Sequence, residues 1–448
     1  MAQTGVRVTR DEDGTIRVAA GPPAGLPGAG GGADAVRRDG AADFTRAVLD
    51  VAGAVLTWPV LGDPGPPVAE VHDVERAQQW LWGVYGERTA AAVHACAEGE
   101  PAGAPVPADL TALAGSAARL GFGHWAARWW PASYADAIPA LEPDVLGLEL
   151  AALTHGCQQL FDGLGDQPDD CAADLIADHR AALDPLVHWW RAAPPSTGTA
   201  HQLDGVLRLI DDAADSAGLD GEALRRLRSA LDQRCPAGAP LDLGALFARH
   251  DGYALAAGEA LLAGGRVIAR GAGTNDWRRY PPGFVDAAET AVSWTARALG
   301  ARRQIEVEVV AHIAAPTAGA ALVAEVRVDG GRPHRVPLAR RDDVWTGRAD
   351  LDLDGDPPAA APRIEVGVLL PGFDPDGGPG TSGDAEGAGV AGLAGGAAVR
   401  ADRDAVRALA RRRLASAAQA LAHEAPEQDA STGLFLAEIA AAATGEDY

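Results

Sequence analysis

IEVEVVAHI, residues 305–313, is the stretch on which the fold turns. Ile305, Val307, Val309, Ala311 and Ile313 alternate with Glu306, Glu308 and His312. Successive side chains of a strand point to opposite faces, so a period of two describes a strand with one face on a core. The same pattern extends outward. Val292, Trp294, Ala296 and Ala298 precede it; Leu322, Ala324, Val326 and Val328 follow, ending in the hairpin signal Asp329-Gly330-Gly331. Val336 and Leu338, then Trp345, Ala349, Leu351 and Leu353, then Ile364, Val366, Val368 and Leu370 complete the set, and Val267 with Ile268 opens it. Short strands roughly 8–12 residues apart predict an antiparallel β-sandwich-like module over residues 264–370. Residues 284–300 also fit a helix, and the strand assignment is preferred because the alternation is sustained.

Upstream the apolar spacing changes to threes and fours. Leu146, Leu150, Leu153, Cys157 and Leu160 form one stripe, and Leu203, Val206, Leu207, Ile210, Ala213 and Ala217 form another, stopped by Gly218. Leu224, Leu227 and Leu231 continue the pattern, with weaker versions over 43–56, 70–98, 107–120 and 172–192. A mostly α-helical domain is therefore expected over 35–263. Before it, Val6, Val8, Asp13-Gly14, Ile16 and Val18 predict a β-hairpin over 1–20, followed by a Pro/Gly linker over 21–34. Residues 371–397 are rich in Gly, Asp and Pro and are expected to be a disordered linker. Helices over 398–448 carry Val406, Ala410, Leu414, Ala417 and Leu421 on one face, then Phe435 and Ile439, and either dock back in cis or bind in trans. The class is α+β multidomain.

Composition sets limits. The 448 residues contain no Lys, and all 38 basic residues of the Lys+Arg count are Arg. A GC-rich bacterial genome accounts for that. It excludes a phosphate loop of the GxxxxGK[ST] type, a kinase strand lysine and a lysine Schiff base. The net charge of −24 opposes nucleic acid and anionic membranes. Arg225, Arg226 and Arg228, and Arg411, Arg412 and Arg413, are read as solvated helix faces. Four cysteines (Cys96, Cys157, Cys171 and Cys235) are too few for a disulfide scaffold in a chain of this length. The first residues lack an apolar signal core, and no stretch is long and apolar enough to span a bilayer, so a cytoplasmic location is expected.

Several segments carry candidate chemistry. Trp125, Arg128, Trp129 and Trp130 lie together, as do Trp80 with Trp82 and Trp189 with Trp190. Indoles suit both helix packing and a partner surface. Asp276, Trp277, Arg278, Arg279 and Tyr280 sit where helices give way to strands. There Asp276 orients an Arg fork, either for a carboxylate ligand or simply to hold the loop. Asp350, Asp352, Asp354 and Asp356, with Gly355, have the spacing of a calcium loop. The twelfth position is Ala361 rather than Glu, and the segment continues a strand, so an exposed polar turn fits better; no cofactor is expected beyond that calcium option. His155, Cys157, Cys171, His179 and His188 lack the spacing of a zinc site.

Arg88-Thr89-Ala90-Ala91-Ala92-Val93-His94 resembles the R-x(4–6)-H motif of HEPN-type ribonucleases. The resemblance covers these residues alone and departs from the family at Thr89. It implies that Arg88 and His94 act on a scissile phosphate and its 2′-hydroxyl across a dimer. The leading expectation is a different one: a non-enzymatic accessory or scaffold protein with a protein partner. An enzyme with a polar site at the Asp276–Tyr280 junction and a HEPN-like ribonuclease are the alternatives.

Overall fold

A computed structural model describes residues 5–20, 43–62, 65–100, 105–109, 111–161, 168–194, 197–233, 243–247, 266–299, 302–312, 315–316, 321–351, 363–373, 392–422 and 433–444. The fold is mixed α+β, and the chain divides into two compact units. Unit 1 comprises Met1–Trp130, Leu141–Ala248 and Val390–Asp447; unit 2 comprises Pro131–Ala140 and Arg249–Gly389.

In unit 1, β1 (Gly5–Arg10) and β2 (Ile16–Ala20) form the expected hairpin, with Gly14 at φ +93° in its turn. The hairpin is not isolated. β3 (Arg46–Val51), β4 (Ala54–Pro59), β5 (Val68–Val71) and β6 (Val106–Pro107) join it in a six-stranded antiparallel sheet of order β3-β4-β5-β2-β1-β6. The helical assignment of 43–56 is therefore corrected. Ala47 and Leu49 are buried while Val48 and Asp50 are exposed, and Ala54, Leu56 and Trp58 are buried on the next strand, a period of two broken by the turn at Gly53. Each strand is only six residues long, and over so short a window alternation also satisfies helical spacing. Gly53 lies so close to Asp73 O that no larger residue fits.

Helices follow: α1 (Val74–Tyr85), α2 (Glu87–Ala97), α3 (Ala112–Trp129), α4 (Pro143–Gly156), α5 (Pro168–His179), α6 (Leu183–Ala192), α7 (Gly198–Ser216), α8 (Glu222–Asp232) and α9 (Leu243–Phe247). Asp73, Thr111 and Thr197 cap α1, α3 and α7 by accepting first-turn backbone N–H groups. α3 lies on the sheet, where Gly121 lets it approach Trp58 and Ala47. α10 (Gly392–Ala422) and α11 (Leu436–Thr444) belong to this unit as well, so the C-terminal helices dock in cis. On α10, Val406, Ala410, Leu414 and Ala417 are buried, whereas Leu421 is exposed. α11 is buried from Leu436 to Ala441 among α4, α7, α9 and α10. A helix apolar on all sides belongs in a core.

In unit 2, β7 (Arg266–Ala272), β8 (Val292–Leu299), β9 (Arg302–Val310), β12 (Ala339–Arg341) and β13 (Val344–Asp350) form an antiparallel sheet of order β12-β13-β9-β8-β7. β10 (Val323–Val328), β11 (His334–Pro337) and β14 (Ile364–Leu369) form a second, of order β11-β10-β14. Ile305, Val307, Val309, Trp294 and Trp345 from the larger sheet, and Ala324, Val326, Val336 and Val368 from the smaller, are buried. Residues 292–299 are strand, not helix. Asp329 and Gly330, both at positive φ, turn β10 into β11 as the sequence predicts. The expected linkers at 21–34 and, apart from its ends, at 371–397 lie outside the described residues.

Candidate functional site

The loop around Asp276 is built from unit 2 alone. Asp276 Oδ1 accepts the Arg278 backbone N–H at 3.2 Å, capping a 3-10 turn over Trp277–Arg279. The Arg278 guanidinium then forks onto both oxygens of Asp276, at 3.0 and 3.0 Å. Arg279 donates to Glu325 at 2.6 Å, and the Tyr280 hydroxyl donates to Asn275. Buried Asn275 donates in turn to Asp286 O and Ala288 O at 3.0 and 2.6 Å. Asp286 accepts from Ser133 Oγ, the Tyr134 N–H and the Ala288 N–H, each at 2.8 Å, and burial pushes its carboxyl above the usual range. The Asp–Arg fork exists, and it holds a loop: Trp277 and Tyr280 are buried, and the charged groups bond their own neighbours.

The indoles also serve packing. Trp125 and Trp129 are 3% and 9% exposed, and Trp125 Nε1 donates to Phe44 O at 2.7 Å. Arg128, exposed, lies 4.8 Å over the Trp129 ring. Trp189 and Trp190 are both buried, because α6 has neighbours on several sides. These side chains offer no open apolar face; Trp82, 47% exposed, does. Arg88 and His94 both lie on α2, with Arg88 exposed and Thr89 and Val93 between them buried. Six positions along a helix separate two side chains by about 120°. Asp350 ends β13, and Asp352, Asp354 and Asp356 lie outside the described residues. Among the described residues no three His, Cys, Asp or Glu groups gather as metal ligands. His155 bonds Gln158, and His179 bonds Asp144.

Two features escaped the sequence. In unit 1, Glu149 of α4 and Glu438 of α11 are fully buried. Glu149 accepts from Arg119 at 3.4 Å, Gln202 at 3.2 Å and the Ala437 N–H at 3.1 Å. Burial, opposed by Arg119, pushes its carboxyl up to about 7. Glu438 accepts from Arg413, with one contact at 2.7 Å, and from the Phe435 N–H at 2.8 Å. A lone acid inside an apolar run, as in LGLELAAL and LFLAEIAA, is the signal that finds both.

In unit 2, Arg266 and Arg270 of β7, Arg297 of β8, and Arg302 and Arg303 of β9 lie on three adjacent strands. None makes an ion pair among the described residues. By contrast Arg225, Arg226 and Arg228 on α8 are all paired with carboxylates. Residues directly opposite on neighbouring strands share a face. The register Arg266↔Ala298↔Arg303 therefore puts Arg266 and Arg303 on one face, on either side of Ala298, while Arg270, opposite Thr295, and Arg302, opposite Leu299, share the other face with Arg297; β7 is the outer strand of the sheet.

Compared with known proteins, the chain matches no family model, no curated protein and no solved structure. No helix among the described residues is long and apolar enough to cross a membrane.

Proposed function

We propose that the chain is a non-enzymatic accessory protein, and that it holds an extended acidic segment of a partner protein along β7. The observation that carries this is the set of arginines on β7–β9 that make no ion pair among the described residues, in a chain of net charge −24. An outer strand offers unpaired backbone N–H and C=O groups to an added strand. β7 is seven residues long, and its Val267 is 46% exposed, so it offers both backbone and apolar contact. The arginines select an acidic occupant and raise its association rate, an effect that salt weakens.

The test is fluorescence anisotropy with a labelled ten-residue peptide alternating Glu and Val. Binding that falls by at least about tenfold in an Arg266→Glu/Arg270→Glu variant, and on methylation of alternate peptide nitrogens, supports the proposal. Equal binding of a Lys/Val peptide, or no binding, overturns it.

A further inference from the structure

Unit 1 contains a recess of about 150 Å³ between the β4 end of its sheet, α3, α10 and the chain entering α11. Trp58, Val60, Phe122, Leu409 and Phe435 make its apolar walls, and Arg119 and Arg413 enter it. The two rings and two cations are stacked in series. Arg413 lies 4.5 Å over Phe122, Phe122 stacks on Phe435 at 6.2 Å with 11° between planes, and Arg119 lies 5.1 Å over Phe435. Glu438 and Glu149 hold the far sides of the guanidinium groups. That arrangement fixes both forks without using all their donors. A guanidinium has donors on three nitrogens. Arg413 bonds Glu438 through Nε and Nη2, which leaves Nη1. Arg119 bonds Glu149 and Leu434 O through Nη2, which likewise leaves its Nη1.

We infer that this recess is a binding site for a small carboxylate carried on a flat apolar body. Small-molecule sites are mostly apolar with a few placed polar groups, and planar forks match carboxylates. The walls suit an aromatic ring, and the spare donors on Arg119 and Arg413 suit its carboxylate. Charge favours the same ligand. Burial holds Glu149 at about 7, so near neutral pH two arginines face less than two full negative charges from Glu149 and Glu438. This site lies wholly in unit 1 and does not depend on the strand edge of unit 2.

The probe is sodium benzoate, titrated calorimetrically into the full chain, with benzamide as its neutral isostere. Saturable benzoate binding is expected, at least about tenfold tighter than benzamide, since that ratio corresponds to one lost charge-assisted contact. Arg413→Met should lower benzoate affinity by a similar factor. Leu409→Phe, which fills the recess and leaves every ion pair intact, should abolish binding while the circular dichroism spectrum is unchanged. No saturable heat up to about 20 mM, where a Kd of 1 mM is already near saturation, overturns the inference. So does equal binding of benzamide, or binding that a folded Leu409→Phe protein retains.

Discussion

The two arginine groups of this protein are opposite solutions to one problem. In unit 1, Arg119 and Arg413 are mostly buried and each holds a carboxylate that is itself buried. In unit 2, Arg266, Arg270, Arg297, Arg302 and Arg303 have no ion pair among the described residues. Burial makes a partner obligatory, because an unpaired charge in a core is far more costly than one in water. Arg266, Arg270 and Arg302 are exposed, which removes that demand, while Arg297 and Arg303 are half-buried. The first group therefore belongs to stability as well as to the recess, and the second is the one the proposed peptide site uses.

The largest expected effect breaks the buried group. Glu438→Ala leaves Arg413 without its carboxylate and the Phe435 N–H without its acceptor, and should cost about 3–5 kcal/mol in denaturant unfolding. The matching change in unit 2, Arg266→Glu with Arg270→Glu, should leave Tm unchanged while removing peptide binding. A large Tm drop there would mean that the edge is structural.

The pH dependence should sharpen the contrast. The Glu149 carboxyl is raised from 4.5 to about 7 in the folded protein. Its contribution is fully present below about 4.5 and is lost as pH rises through about 7, up to ~3 kcal/mol in all. Glu149→Gln should flatten Tm over that window, measured by thermal unfolding in steps of pH. An unchanged slope would assign the dependence to other groups.

A smaller effect tests the contact between the two sheets of unit 2. A Cβ on Gly347 of β13 would meet Pro337 O at 2.5 Å and Leu338 Cδ2 at 2.7 Å. Gly347→Ala should therefore cost about 1–3 kcal/mol by overpacking. Smallest is the Arg348–Glu306 pair, at 2.6 Å with the arginine 40% exposed. Glu306→Gln there should cost about 1 kcal/mol or less.

Legibility in the sequence followed the length of the pattern. β8, β9, β10, β13 and β14 were readable because alternation ran on from strand to strand, with Asp329-Gly330 marking one turn. β3 and β4 were not, since six residues before the turn at Gly53 fit either period. Asp276 was readable as the partner of an Arg fork, because its partner is two residues away. The bond from the Ala437 N–H to Glu149 was not readable, because 288 positions of chain separate the two residues. For Trp125 and Trp129 the sequence left packing and a partner surface both open, and the structure covers them with Phe44 and the strands beside α3.

By itself the sequence determined the strand periods of unit 2, the helical stripes of unit 1, the exclusion of lysine chemistry and a net charge of −24. Each is local or additive along the chain. Tertiary structure alone decided that α11 is core, that two carboxylates from distant helices hold Arg119 and Arg413 beside a recess, and that five arginines of three adjacent strands make no ion pair among the described residues. Those are matters of which distant groups are brought within bonding distance, and burial sets what each such meeting costs or stabilises.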